Sequence, residues 1–476
     1  MTANKIRATM GSRSASSSRR GGSSRGGSSR GLDLISLLPD CMLITILSFL
    51  PVKDAARTSI LSSRWRHLWT LAPLHLDVSA LHLEGSHPSR TRREDEAWRV
   101  RATNQILSVH RGPIPSGCLW GFFLDNPDIG RWVETLIRRG IRELALCCAD
   151  MDRFYPVPLP LLDCRSLLAL KLSHCHFPEP PLPCPTFLNL RELSFYFCVI
   201  TDDIISNLLS CCRTLHSLVI TGCMGLLSIR IRSPGLRSFT LNCSSVYGNE
   251  INDLIIEDAP NLERLMIHRS VAQDSQVTIL NTPRLKLLGI MSTAIKMLRM
   301  CGTYFELMNV RTTPYESTRM VGSLRTVMHS LRNLAISVNF NDYRQVKIVP
   351  ELLRCFPCLE ILDVQVFGTG CHREDSAYWE QQGSLDCLHH LKKSTIKGFE
   401  GHRTDLAFAK FIITKARMLE VLTLLCRFNW TRKWRDTIRR HLGLKNRASF
   451  DAQVILKTTN SGTNEFSTWD PVIYEF

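Results

Sequence analysis

The sequence predicts an α/β chain: a short three-helix unit near the N-terminus, then a solenoid of repeats whose strands line a concave face. Three observations carry that expectation. Apolar residues fall at helical spacing between residues 34 and 70, and a short apolar motif recurs every 21 to 26 residues from Ile141 through the early copies. The chain of 476 residues, 44% hydrophobic and 21% charged, exceeds what one small domain needs while keeping an ordinary globular composition.

Residues 1–31 are of a different kind. From Gly11 to Gly31 the chain is almost entirely Ser, Arg and Gly, which cannot bury enough apolar surface to offset the entropy of ordering, so a disordered tail is expected. That tail holds seven Lys and Arg and no acid, out of a formal net charge of +16 for the whole chain. The remaining excess reads as spread through a mildly basic body, without the basic groove interleaved with aromatics that single-stranded nucleic acid needs. Arg20-Gly21-Gly22 and Arg25-Gly26-Gly27 suit either RNA contact or a solvated leader. The polar N-terminus and the lack of an apolar run of spanning length predict a cytoplasmic or nuclear protein with no membrane partner. In those compartments the eighteen cysteines are expected reduced, and the sequons at Asn242 and Asn429 go unused.

The first folded unit spans 32–76. Pro39 suits the first turn of a helix, Asp40 complements its dipole, and Leu43, Ile46, Leu47 and Leu50 fall at i, i+3, i+4 and i+7. Pro51 ends that helix. Asp54 is placed to cap a second helix over Ala55 to Leu61, and Ser62 a third in which Trp65, Leu68 and Trp69 share a face. Residues 77–135, with the polar run from Ser86 to Glu96 and breakers at Gly112, Pro113 and Pro115, read as a connector.

Repeats are expected over 136–384. The motif is an apolar residue followed three and five positions later by two more. It stands at Ile141/Leu144/Leu146, Leu167/Leu170/Leu172, Leu190/Leu193/Phe195, Leu215/Leu218/Ile220, Leu236/Phe239/Leu241, Leu262/Leu265/Ile267, Leu285/Leu288/Ile290, Leu331/Leu334/Ile336, Leu359/Leu362/Val364 and Leu419/Leu422/Leu424, with a poorer copy at Phe305/Met308/Val310. Such spacing describes a short strand with alternate residues inward, then a turn and a return segment, each unit covering its neighbour. Cys175, Cys198 and Cys223 fall where the chain turns, where a small side chain packs and its thiol donates weakly to backbone. Pro234, Pro260, Pro283 and Pro357 mark strand entries.

Leu38-Pro39-Asp40, Ile46-Leu47, Leu50-Pro51-Val52, Ser63-Arg64-Trp65-Arg66 and Leu68-Trp69 resemble an F-box in order and spacing. The repeats, together with Leu391-Lys392-Lys393, Ile396-Lys397-Gly398-Phe399 and Leu419-Glu420 in a C-terminal segment over 385–460, look like the plant F-box, leucine-rich-repeat and FBD architecture; residues 461–476 form a tail. The segment departs from its family at Lys393 to Thr395, where polar residues occupy a strand that is usually more apolar.

The resemblance implies a substrate-recognition subunit of an SCF-type cullin-RING ubiquitin ligase. Its F-box docks a Skp-type adaptor, through it a cullin-RING assembly, and its repeats bind a target protein. Leu38, Pro39, Leu43, Ile46, Leu47, Leu50, Pro51 and Val52 are the candidate adaptor-binding residues, because a helix-in-groove contact needs apolar anchors on one stripe. The competing assignment for each is the unit's own core. A non-ligase repeat scaffold binding protein or RNA is the alternative function. The target and the residues that bind it are not marked in the sequence.

Catalytic and cofactor signatures are absent: there is no phosphate loop, nucleophile elbow, HExxH or dinucleotide fingerprint. Cys355-Phe356-Pro357-Cys358 lacks a second ligand pair, His174-Cys175-His176 lacks a fourth ligand, and His389-His390 has no acid partner at a meaningful spacing. No cofactor, metal or catalytic residue is expected.

Overall fold

The computed structural model describes residues 34–35, 37–81, 92–122, 126–148, 153–178, 187–242, 251–268, 271–292, 297–300, 303–306, 327–367, 378–379, 381–383, 385–426 and 431–458. The tail expected over 1–31 and that over 461–476 lie outside the described residues.

Three helices open the described chain, α1 (Asp40–Ser48), α2 (Val52–Arg57) and α3 (Ser63–Leu71). Pro39 stands one residue before α1 in extended backbone, and Asp40 supplies an acid to its first turn. Asp54 does not cap the second helix. Because Pro51 already sets the extended entry, α2 starts at Val52, and Asp54 sits in its first turn with its carboxylate 3.2 Å from Arg57. One 3-10 turn, Thr58–Ile60, leads to Ser62, whose Oγ accepts from the Trp65 backbone N–H at 3.3 Å and caps α3 as expected. Arg64 ties α3 back to α1, donating to Asp40 at 2.6 and 2.8 Å and to the Leu38 carbonyl at 2.6 Å.

A fourteen-stranded sheet runs from His75–Asp77 to Gln453–Thr458, and every neighbouring pair in it is parallel. Its register lines the repeated motif up in columns. Leu144, Leu170, Leu193, Leu218, Phe239, Leu265 and Leu288 are consecutive partners, and Leu146, Leu172, Phe195, Ile220, Leu241 and Ile267 form the parallel column beside them. All are buried, as are the first anchors of the ten full copies from Ile141 to Leu419. Each fully buried Leu of such a column stabilises by about 1.5–3 kcal/mol relative to exposure.

The sheet begins before the motif does. Ser116–Phe122, inside the expected connector, is its second strand, with Gly117 opposite Leu144 and Leu119 opposite Leu146. Gly117 hides the pattern because it stands at the central Leu position. The space is filled instead by Leu136, Ile141 and Leu144, whose Cδ1 atoms lie 3.2–3.5 Å from where its Cβ would be. At the other end, Lys393–Lys397, Val421–Cys426 and Gln453–Thr458 continue the same ladder. There the buried Ser394 stands between Leu362 and Leu422, where a Leu is the rule.

Return segments between residues 228 and 306 are strands rather than helices. Ser228–Arg232, Ile251–Asp258, Val271–Asn281, Met297–Met300 and Thr303–Glu306 form a second, five-stranded sheet. The poorer motif copy is thereby corrected: Phe305 lies in Thr303–Glu306, which pairs antiparallel with Met297–Met300 in this second sheet, and Met308 and Val310 lie outside the described residues. A bulge between Leu288 and Met291 also places Met291, not Ile290, opposite Ile336.

Candidate functional site

The helical unit divides its apolar residues between inside and outside. Of the eight candidate contact residues, Leu43, Leu47 and Val52 are buried at 0–2% exposure against Trp65, Leu68 and Trp69, so these three belong to the unit's core. Leu38 and Leu50 are half-buried, while Pro39, Ile46 and Pro51 are exposed. The stripe is divided because α1 is packed on α3 along the Leu43–Leu47 line, leaving Ile46 turned away from it. Missed by that reading are Leu34, Ile35, Leu37, Met42, Phe49, Ile60, Leu61 and Leu71, all exposed. With Ile46 they make nine of the eighteen exposed large hydrophobics among the described residues, within fewer than forty positions. The available signal was the excess of apolar residues off the core stripe, Met42 and Phe49 above all.

This unit is fastened to the solenoid through backbone. Arg111 and Gly112 N–H both donate to the Thr70 carbonyl, at 2.8 and 2.9 Å, and Leu74 N–H donates to Pro113 at 3.0 Å. Gly112 is required by that approach, since a Cβ would overlap the Leu71 and Ala72 carbonyls. His110, buried beside Trp69 with ring centroids 5.2 Å apart, meets the Ala72 carbonyl through Nε2 at 2.9 Å. Burial holds its imidazole below the usual histidine range against the opposing pull of that carbonyl, with Arg139 adding to the depression.

Over the first strands of the sheet near this junction lies a cavity lined by His75, Asp77, Ser116, Cys118, Glu143, Lys171 and Glu192 among others. Burial, with Asp77 nearby, pushes the Cys118 thiol up to about 11, so it stays protonated at neutral pH. The turns that follow the early strands are built from a column of left-handed residues, His174, Phe197 and Gly222, at φ 52°, 51° and 62°. The His174 and Phe197 rings stack at 5.3 Å. Each residue's N–H donates to the next repeat's strand, at Tyr196, Thr221 and Asn242, which holds the strained backbone in place. Cys175, Cys198 and Cys223 follow, buried, with their thiols 3.3–3.6 Å from the Ser173, Tyr196 and Thr221 carbonyls. His174 is therefore a turn residue, and His176 lies in the short strand Cys175–His176, paired with Tyr155–Pro156. Cys355 is buried in the repeat core, whereas Cys358 is half-buried with Sγ 3.9 Å from His329 Nδ1. Thirteen cysteines among the described residues are free and Cys211 is disulfide-bonded, which departs from the expectation of reduced thiols throughout. No group of three or more His, Cys, Asp or Glu among the described residues is arranged to hold a metal ion, and no helix is long and apolar enough to cross a membrane.

A three-helix unit with outward apolar residues, heading a parallel solenoid of 21–26-residue steps, defines an F-box protein with leucine-rich repeats. Comparison with known proteins agrees along the chain. The F-box domain matches residues 35–77, the repeats of FBD-associated F-box protein At5g56370 match 129–364, and the FBD matches 381–424. F-box/FBD/LRR-repeat protein At1g13570 of Arabidopsis thaliana is 28% identical over 403 residues, covering 82% of this chain and 91% of that one. F-box/FBD/LRR-repeat protein At5g22700 of the same plant is 30% identical over 317 residues, covering 64% of this chain and 67% of that one. The chain belongs to the plant F-box/FBD/LRR-repeat family.

Proposed function

We propose that this chain is the substrate-recognition subunit of an SCF-type cullin-RING ubiquitin ligase, working in the cytoplasm or nucleus. Its α1–α3 unit docks a Skp-type adaptor, and its solenoid holds a target protein. The observation that carries this reading is the crowding of exposed Leu, Ile, Met and Phe on that small unit. Contiguous apolar surface on a soluble protein marks a contact site, and covering a Phe49 or Leu37 contributes about 1.5–3 kcal/mol each. Pro39, Ile46 and Pro51, with Leu38 and Leu50 at the margin, join Leu37, Met42 and Phe49 in that contact. Leu43, Leu47 and Val52 support it from below.

The subunit itself performs no chemistry in this reading. Its contribution is proximity, since a target lysine held near a charged ubiquitin carrier reacts at raised effective concentration. The backbone fastening at Thr70, Gly112 and Pro113 serves that role by fixing the target's position relative to the adaptor.

Co-purification with a Skp-type adaptor tests the assignment. The double substitution Ile46→Asp and Phe49→Asp changes two exposed residues, so the protein stays folded by circular dichroism and adaptor binding is lost. Retained binding by the folded variant, or no binding by the wild type, removes the assignment and leaves a repeat scaffold.

A further inference from the structure

The basic excess outside the leading tail is concentrated rather than spread. Residues 32–400 hold 39 Lys and Arg against 36 Asp and Glu, whereas residues 401–460 hold 13 against 4. The densest part is the helix Arg432–His441. Ile438 and Leu442 are buried, Trp434 and Ile438 pack over Gly401, and Trp434 stands edge-on to Phe399 at 6.5 Å. With its apolar stripe committed to the solenoid, the helix turns Arg432, Lys433, Arg439 and Arg440 to solvent around a single acid, Asp436. Helix stability explains only half of that pattern. Arg439, Arg440 and His441 complement the dipole at the C-terminal turn, but Arg432 and Lys433 oppose it in a first turn that has no acid.

The same C-terminal segment carries an apolar spot. Phe450 is 83% exposed and Met418 52% exposed. Their neighbours in sequence touch, since Ser449 Oγ donates to the Leu419 carbonyl at 2.7 Å. Exposed Arg417 precedes Met418 along the chain, and the exposed acids Glu420 and Asp451 follow the two residues.

We propose that this C-terminal cap docks an acidic protein segment, whose carboxylates engage the Arg432–Arg440 face while one of its apolar side chains covers Phe450 and Met418. Guanidinium groups match carboxylates as two-pronged donors. The helix has no free apolar face with which to enter a bilayer. A bare phosphate backbone gains nothing by covering Phe450 and Met418, whereas a mixed acidic and apolar segment does. The inference goes beyond adaptor docking and stands on separate residues at the opposite end of the sheet.

The test uses the full chain, alone and with adaptor, and a labelled synthetic peptide alternating Glu and Leu, read by fluorescence anisotropy. A Glu-only peptide and a DNA duplex serve as competitors. The expected result is binding that weakens about tenfold or more when Arg432, Lys433, Arg439 and Arg440 are all changed to Gln, in line with losing several complementary charges. Phe450→Ala, which leaves every charge in place, weakens it severalfold, and the Glu-only peptide competes poorly. Adaptor binding is unchanged in both variants and reports that they are folded. No binding of the alternating peptide overturns the proposal. So does a duplex that binds more tightly and is indifferent to Phe450→Ala, which would assign the cap to nucleic acid, and so does binding that vanishes only on deleting residues 1–31. Loss of adaptor binding by the wild type, with peptide binding kept, sinks the ligase assignment alone.

Discussion

The N-terminal helices and the solenoid are both rich in large apolar residues, but they place them oppositely. In the solenoid, the first anchor of each of the ten full motif copies from Ile141 to Leu419 and every partner in the Leu144–Leu288 column is buried. In the helices, three of the eight candidate contact residues are buried, and nine other or remaining apolar side chains face outward. A solenoid unit satisfies its core through its neighbours, so apolar residues inside it report on folding alone. A unit of fewer than forty residues cannot bury all it carries, and its surplus reports on a partner.

The comparison is broken most forcefully by truncating each kind of residue. Phe239→Ala, in the middle of the ladder, is expected to cost about 3–5 kcal/mol in urea unfolding of the solenoid. Phe49→Ala should leave stability within about 0.5 kcal/mol while reducing adaptor affinity about tenfold, or about 1.4 kcal/mol. If the two substitutions cost the same stability, the division between inward and outward apolar residues is wrong. Ser394→Ala sharpens it from the other side: Ser394 is buried in the ladder and its hydroxyl has no hydrogen-bond partner. Removing an unsatisfied buried hydroxyl should raise the unfolding free energy by about 1 kcal/mol.

The smallest effect concerns pH at the junction between the two regions. His110 has a folded pKa below its ordinary value, so as pH falls through about 6.5 the unfolded chain takes up a proton that the folded chain refuses. Stability contributed by neutral His110 is therefore whole above that range and declines below it. Its Nδ1 has no partner, and protonation there would place a charge toward Arg139. Replacing it, as in His110→Gln, should flatten the acid limb of the stability profile measured by thermal unfolding, and an unchanged limb would remove His110 as its source.

Much of this was legible in the residues. Leu at fixed offsets produced the ladder because the sheet's register repeats the motif in columns, and the Ser62 cap and the Trp65, Leu68 and Trp69 face followed from helical periodicity. Legibility failed where a small residue took a Leu position, at Gly117 and Ser394, because the motif depends on side-chain size while the backbone ladder does not. The second sheet was hidden for another reason: Ile229 and Ile231, Leu254 and Ile256, and Val277 and Ile279 alternate inward like strands, but they lie in the segments between motif copies. At the helical unit the stripe was legible as a face but not as core or contact, since periodicity identifies a face without saying what covers it. The basic helix was hidden in a chain-wide sum of charge.

The fastening at Gly112 makes the sheet a measuring rod. With strands about 4.8 Å apart, the fourteen-stranded ladder carries its last repeat some sixty ångströms of arc from the first, and backbone hydrogen bonds join α3 to the start of that rod. Each repeat is thus a graduation at a set distance from the adaptor end. Inserting or deleting one repeat would displace whatever is gripped beyond it by one step and rotate it by one increment of the sheet's twist; under the proposed function, repeat number as much as surface chemistry would then decide which lysines of a bound protein come within reach.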